Sequence, residues 1–457
     1  MKIQDVMLRF PHLPEQIFQK LDSESLFKSR EVARSWQNVI DGRNYTWIRI
    51  VNIPTISKRQ NSYLHLAAKT GQIQAFKTAL NEEEGTDIKN ELVERSFHLA
   101  CDKGHSNVVK IIMENPSALS IDFNIKDADK QTAFIRSCDM GHSKVVNILM
   151  ENAAALNINL NEKDKDGWTG FHCACLNGHS NVIKIFMENV IAMSINVDSK
   201  DNSGWTGFHY ACLKGNSNMI KIFMENSSAL SINLNEQDYA GWAGFHRACD
   251  EGNADVVKIL MENAAPLSIN LNIKNNDGKA GFHSACLKGH SNVIKIFMEN
   301  TSTLGINLNE KDNDGWTGFH LACDEGHTDV VNTLMKNAAA LSIDLNIIDK
   351  NGGSTGFHYA CERGHSDVVK IFMENASILN LNLNAKTKYG NHNTGFHWAC
   401  LSGHTNIVEL MLNNSENLDL DLKSINYFGN TGSQIAKIYR RTSVVNLIKF
   451  KMPNIAC

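Results

Sequence analysis

The chain has 457 residues, 42% of them hydrophobic, and its 45 basic and 49 acidic side chains leave a net charge of −4. A length of this order ordinarily fills about three domains. The near-neutral balance lacks the basic footprint of a nucleic-acid binder, and the uncharged apolar runs fall well short of the ~20 residues that cross a bilayer. Met1 to Phe10 have no apolar core of the signal-peptide kind, so the expected compartment is the cytoplasm, with the nucleus also open.

In chain order, the first predicted helix opens at Pro14, which suits a first turn, and carries Ile17, Phe18 and Leu21 as its apolar stripe. Ser23 caps a short second helix, and a third runs from Arg30 to Ile40. Residues 7–50 therefore read as a three-helix module, small for a self-sufficient core. Leu13-Pro14-Glu15, Ile17, Leu21, Leu26, then Val32-x-Arg34-Ser35-Trp36 and Trp47 fall in the order and spacing of an F-box, and the segment resembles that family. The resemblance implies docking on a Skp-family adaptor that joins the chain to a cullin-RING ubiquitin ligase. It assigns much of that contact to Leu13, Pro14, Ile17, Leu21 and Leu26, with Val32 and Trp36 shared between core and interface. Read from the residues alone, the same helices could instead cap the repeats that follow. Residues 51–60 form a short linker.

The rest of the chain, 61–452, repeats. Phe171-His172-Cys173-Ala174-Cys175 recurs as Phe208 to Cys212, Phe245 to Cys249, Phe282 to Cys286 and Phe319 to Cys323, each 37 residues after the last. Phe97 to Cys101 precedes the series, and Phe357 to Cys361 and Phe396 to Cys400 follow at slightly longer spacing. Such a period marks a stacked-repeat solenoid, in which each unit contacts only its neighbours. Eleven units are expected, with steps at His65, His98, Ile135, His172, His209, His246, His283, His320, His358, His397 and Gln434. The last is degenerate, and its Lys437, Arg440 and Arg441 suit a capping repeat.

In one unit, Asp164-Lys165-Asp166-Gly167 is turn chemistry, Thr169 caps a helix, and Phe171, Ala174 and Cys175 share its apolar face. Gly178 stops that helix. Ser180 caps a second one bearing Val182, Ile183, Ile185, Phe186 and Met187, which ends at Asn189, a residue tolerant of left-handed backbone. Ile195-Asn196-Val197 reads as strand-like. Asp164, Gly167, Thr169, His172, Ala174, Gly178 and His179 fall in register on the pattern of ankyrin repeats, which the chain resembles. It departs from that pattern in Gly170 for proline, Phe171 for leucine, Cys175 for the second alanine, and a period longer than the family's ~33. The extra residues should extend the second helix or its loop. The resemblance implies an all-α solenoid of helix-turn-helix units with β-hairpin-like loops.

Nine cysteines share one repeat position, where stacked helices ~8–10 Å apart are too distant for disulfides. They are expected to be reduced, buried thiols. Sixteen of the 18 histidines are locked to two repeat positions, which marks them as architectural. No metal cluster, phosphate loop or singular nucleophile–base pair is present, so no catalytic residue, metal or cofactor is expected.

The positions that escape packing rules are the candidates for binding. The residue after the turn glycine is Trp168, Trp205, Trp242 and Trp316 in four units and Lys279 in another. The resemblance places this position on the concave side. Tryptophan is common at binding hot spots, though each ring could equally pack on its neighbour. The pair before the helix-stop glycine is acidic at Asp102, Asp139, Asp250-Glu251, Asp324-Glu325 and Glu362 and begins with leucine at Leu176, Leu213, Leu287 and Leu401, which suggests acidic and apolar sectors or an ordinary solvated face. The combined expectation is a substrate receptor of a Skp-cullin-F-box ligase that holds an unknown target protein in its groove. The alternative is an ankyrin scaffold with no ubiquitin link.

Overall fold

The computed structural model describes residues 60–82, 86–114 and 121–455. The predicted head at 7–50, with Leu13, Pro14, Ile17, Leu21, Leu26, Val32 and Trp36, lies outside the described residues, as does all but the last residue of the linker. The described residues hold twenty-two α-helices in eleven helix-turn-helix pairs, one for each unit read in the sequence. The chain divides into two compact units, Met1–Asn196 and Val197–Cys457. Within each, first helix packs on first helix of the next repeat and second on second.

One repeat shows why. Asp238 Oδ1 accepts the N–H groups of Ala240 and Trp242, each at 2.9 Å, and Gly241 completes the turn with φ +80°. The helix Gly244–Asp250 follows and buries Phe245, Ala248 and Cys249 on one face. Gly252, at φ +71°, ends it. The second helix, Ala254–Glu262, then buries Val256, Val257, Leu260 and Met261.

The three substitutions that depart from the ankyrin pattern form one packing solution. A β-carbon on Gly281 would lie 2.8 Å from Phe245 Cε1 and 2.9 Å from Cys249 Sγ of the preceding repeat. Gly318 meets Phe282 and Cys286 in the same way, and Gly395 meets Phe357 and Cys361. The larger phenylalanine fills the interface, and the glycine removes the atom it would strike. The described column cysteines are free and buried, and burial pushes the thiols of Cys212, Cys286 and Cys361 well up.

The structure corrects three local expectations. Ser180 is the first residue of its helix, not the cap. The cap position is His179, which makes no side-chain cap bond; its Nε2–H instead donates to Asp139 O of the preceding repeat at 2.8 Å. The helix does end at Asn189, but that side chain folds back on Ile185 O at 2.8 Å, and the left-handed residue is Ser194. In three repeats the second helix runs on to 14 residues, as in Ser291–Leu304, so the extra length lies where expected.

The third correction concerns Ile195-Asn196-Val197. No strand forms among the described residues, where pairing is limited to an isolated bridge between Gln237 and Ala243. Ile195 and Val197 are buried, while Asn196 N–H donates to Asn161 Oδ1 at 2.8 Å. The pattern repeats. Asn309 Nδ2 donates to Ser342 O and its Oδ1 accepts from Asp344 N–H, both at 2.8 Å. Asn124 does the same to Asn157 O and Asn159 N–H. A column of asparagine amides thus satisfies the backbone groups that strand pairing would have used.

Candidate functional site

The face formed by the turns and first helices carries the tryptophan position. Trp168, Trp205, Trp242, Lys279 and Trp316 are all half-buried. Each backbone N–H donates to Oδ1 of its turn Asp or Asn at 2.8–2.9 Å, which fixes where the side chain starts.

In the second compact unit the rings pack on a neighbour that the sequence reading missed: the variable residue inside Phe-His-x-Ala-Cys. That residue is Tyr210, Arg247, Ser284, Leu321, Tyr359 and Trp398 in successive repeats. The Arg247 guanidinium lies 4.1 Å from the Trp205 ring and 4.5 Å from Trp242, stacked against both. Trp205 packs on Tyr210 at 4.9 Å and Trp316 on Tyr359 at 4.2 Å. Trp205, Trp242 and Trp316 therefore pack on nearby side chains, and each still keeps part of its surface open. The available signal was variability itself, a changing letter within an otherwise fixed phrase.

The same residue closes on the turn carboxylate. Tyr210 Oη–H donates to Asp201 Oδ2 at 2.6 Å, Arg136 Nε–H to Asp127 Oδ2 at 3.2 Å, Tyr359 Oη–H to Asp349 Oδ2, and Arg247 to Asp238 Oδ2. Of the acidic pairs, Asp250 and Asp324 are half-buried and Glu251 and Glu325 exposed. Asp324 is engaged by Arg363, Nε to Oδ1 at 2.8 Å, whereas Asp250 and Glu251 enter no ion pair among the described residues.

The first histidine column is structural. Ala243 N–H donates to His246 Nδ1 at 3.0 Å, so the ring proton sits on Nε2 and is donated to Lys279 O of the next repeat at 3.0 Å. His209 bridges Thr206 N–H to Trp242 O in the same way, and His358 bridges Thr355 N–H to Ala385 O. Burial lowers the pKa of His246, His320 and His358 to about 4, holding them neutral. The second column locks repeats from the other end of the first helix. His290 Nε2–H donates to Asp250 O at 2.7 Å, and its ring lies where a β-carbon on Gly252 would be. Among the described residues no group of three or more His, Cys, Asp or Glu could hold a metal ion, and no helix is long and apolar enough to cross a membrane.

A row of half-buried aromatics on a regular frame is a surface that can grip another chain. The family model for ankyrin repeats (3 copies) matches residues 64–161, 155–238, 190–272, 245–349 and 340–424. The chain belongs to the ankyrin repeat family, whose all-helical fold is typically a non-enzymatic, protein-binding scaffold. No curated protein matches it in a sequence comparison.

Proposed function

We propose that this chain is an interaction adaptor of the cytoplasm or nucleus that holds a protein partner on the turn-and-first-helix face of an array spanning 61–452. Support comes from the row Tyr210, Arg247, Ser284, Leu321, Tyr359 and Trp398, which changes chemistry within a fixed Phe-His-x-Ala-Cys phrase; Arg247, Tyr359 and Trp398 keep part of their surface open, while Tyr210, Ser284 and Leu321 are buried. Trp205, Trp242 and Trp316 beside it, with Lys279, Asp250, Glu251, Asp324 and Glu325, complete the contact surface of the second unit, and Trp168 holds the same repeat position in the first.

Residues 7–50 form an F-box-like head in this reading. Leu13, Pro14, Ile17, Leu21, Leu26, Val32 and Trp36 would dock on a Skp-family adaptor and bring the bound partner to a cullin-RING ubiquitin ligase. What supports this is the ordered F-box pattern in the sequence, in a segment the ankyrin match leaves uncovered. The test is co-purification of the full chain with a Skp-family adaptor, comparing wild type with Leu13→Ala/Pro14→Ala. A stable complex lost in the variant supports the ligase role. No complex with a folded full chain leaves an ankyrin scaffold that sequesters or localises its partners.

A further inference from the structure

The repeat whose first helix is Gly281–Lys288 breaks the surface pattern at three linked positions. Its turn residue is Asn275 where the neighbouring repeats have Asp238 and Asp312, its tryptophan position is Lys279, and its variable residue is Ser284. In four other repeats a long Tyr or Arg at the variable position closes on Oδ2 of the turn Asp. Ser284 is too short to do so.

Asn275 Oδ1 accepts from Asp277 N–H at 3.0 Å and from Lys279 N–H at 2.8 Å, which fixes the amide orientation. Its Nδ2 therefore takes the place of Oδ2, the atom that the long side chains bond elsewhere. Asn275 is 5% exposed and Ser284 1%. Neither Asn275 Nδ2 nor Ser284 Oγ has a hydrogen-bond partner. Buried polar groups are seldom left so. Lys279, half-exposed beside them, enters no ion pair among the described residues.

We propose that this junction seats a carboxylate of the bound partner, an Asp or Glu side chain. One oxygen would accept from Asn275 Nδ2–H and the other from Ser284 Oγ–H, with the Lys279 ammonium as counter-charge once its flexible stem turns aside. Two donors and an uncommitted cation match a two-oxygen anion better than a neutral carbonyl. The inference rests on the reading that partners bind this face. One repeat further along is the Trp316–Tyr359 pair, two half-buried rings 4.2 Å apart. Repeats spaced by ~10 Å correspond to about three residues of extended chain. The partner segment should therefore carry an acidic residue with an apolar or aromatic one about three positions away.

The test is selection of random phage-displayed peptides on the full chain, followed by binding of the synthetic winners. Selected peptides should share the acidic residue and its apolar companion. Affinity should fall about tenfold or more when the acid is changed to its amide, or when Ser284→Tyr/Asn275→Asp rebuilds the closed pair seen at Tyr210 and Asp201. Should the double variant fail to fold, Asn275→Asp alone supplies the residue found in neighbouring repeats and should weaken binding in the same way. Binders without an acidic residue, or with affinities indifferent to these changes, overturn the carboxylate seat and leave the binding face standing. A library that yields no binder to the folded chain overturns the face and the seat together.

Discussion

Gly244 lies so close under the ring of Phe208 that a β-carbon on it would fall 2.7 Å from Cδ1. Alanine is ordinarily favoured over glycine within a helix by up to ~1 kcal/mol. Here Gly244→Ala should instead destabilise by about 1–3 kcal/mol through overpacking, read as a lower denaturant midpoint. Phe208→Leu shortens the ring that the new methyl strikes, so the double variant should cost less than the sum of the singles. Strict additivity in that double-mutant cycle would reject the coupling.

Acid should loosen the array through its histidines. His246, His320 and His358 titrate near pH 4 when folded and near 6.5 when unfolded. Below about 6.5 the unfolded chain takes up protons that the folded chain refuses, so stability is full at neutral pH and falls as pH drops toward about 4. Each such residue contributes up to about 1.4 kcal/mol per pH unit in that window. Gln434 fills the same role without titrating, accepting Thr431 N–H at 2.8 Å. His358→Gln should accordingly narrow the gap between unfolding midpoints at pH 7 and pH 5, and an unchanged gap would count against this account.

Arg247 is held on three sides, by Trp205, Trp242 and Asp238. The Asp238 side chain is only 2% exposed, so Arg247→Ala strands a buried carboxylate and should cost about 3 kcal/mol. Arg247→Lys keeps the charge but loses the planar stack and should cost about 1 kcal/mol. Tryptophan emission should shift to the red in both, more in the alanine variant.

Asn309 makes two bonds to the following loop. Asn309→Ala should cost about 1 kcal/mol, since both bonds lie near solvent. Hydrogen exchange at the Asp344 amide should speed up relative to that at Asn382, whose own partner, Asn346, is untouched.

Much of this frame was legible because it is local. Asp238 and Gly241 announce the turn, and Phe245, Ala248 and Cys249 announce the helix face, within a dozen residues of sequence. What lies between repeats was not. The glycine that opens eight of the first helices looks like a weak helix residue until Phe208 is set against Gly244. Ile195-Asn196-Val197 alternates as a strand does, and only the distance to Asn161 distinguishes a side-chain column from backbone pairing. His179 sits where helix caps belong, yet its ring is spent on Asp139 in the preceding repeat. Arg247 was passed over because a single letter within a helix does not reveal which neighbour it will lie against.

Most joints between repeats in the second compact unit are built from the same few parts: a glycine cleared for a phenylalanine, a second glycine cleared for a histidine ring, and an asparagine amide. An unequal crossover between two such copies therefore deletes or adds a segment whose ends already fit. The reading frame of contacts survives even as their order is reshuffled. A lineage carrying this gene could change which chemistries face a partner, and in what sequence, by recombination alone, without waiting for substitutions to rebuild a core.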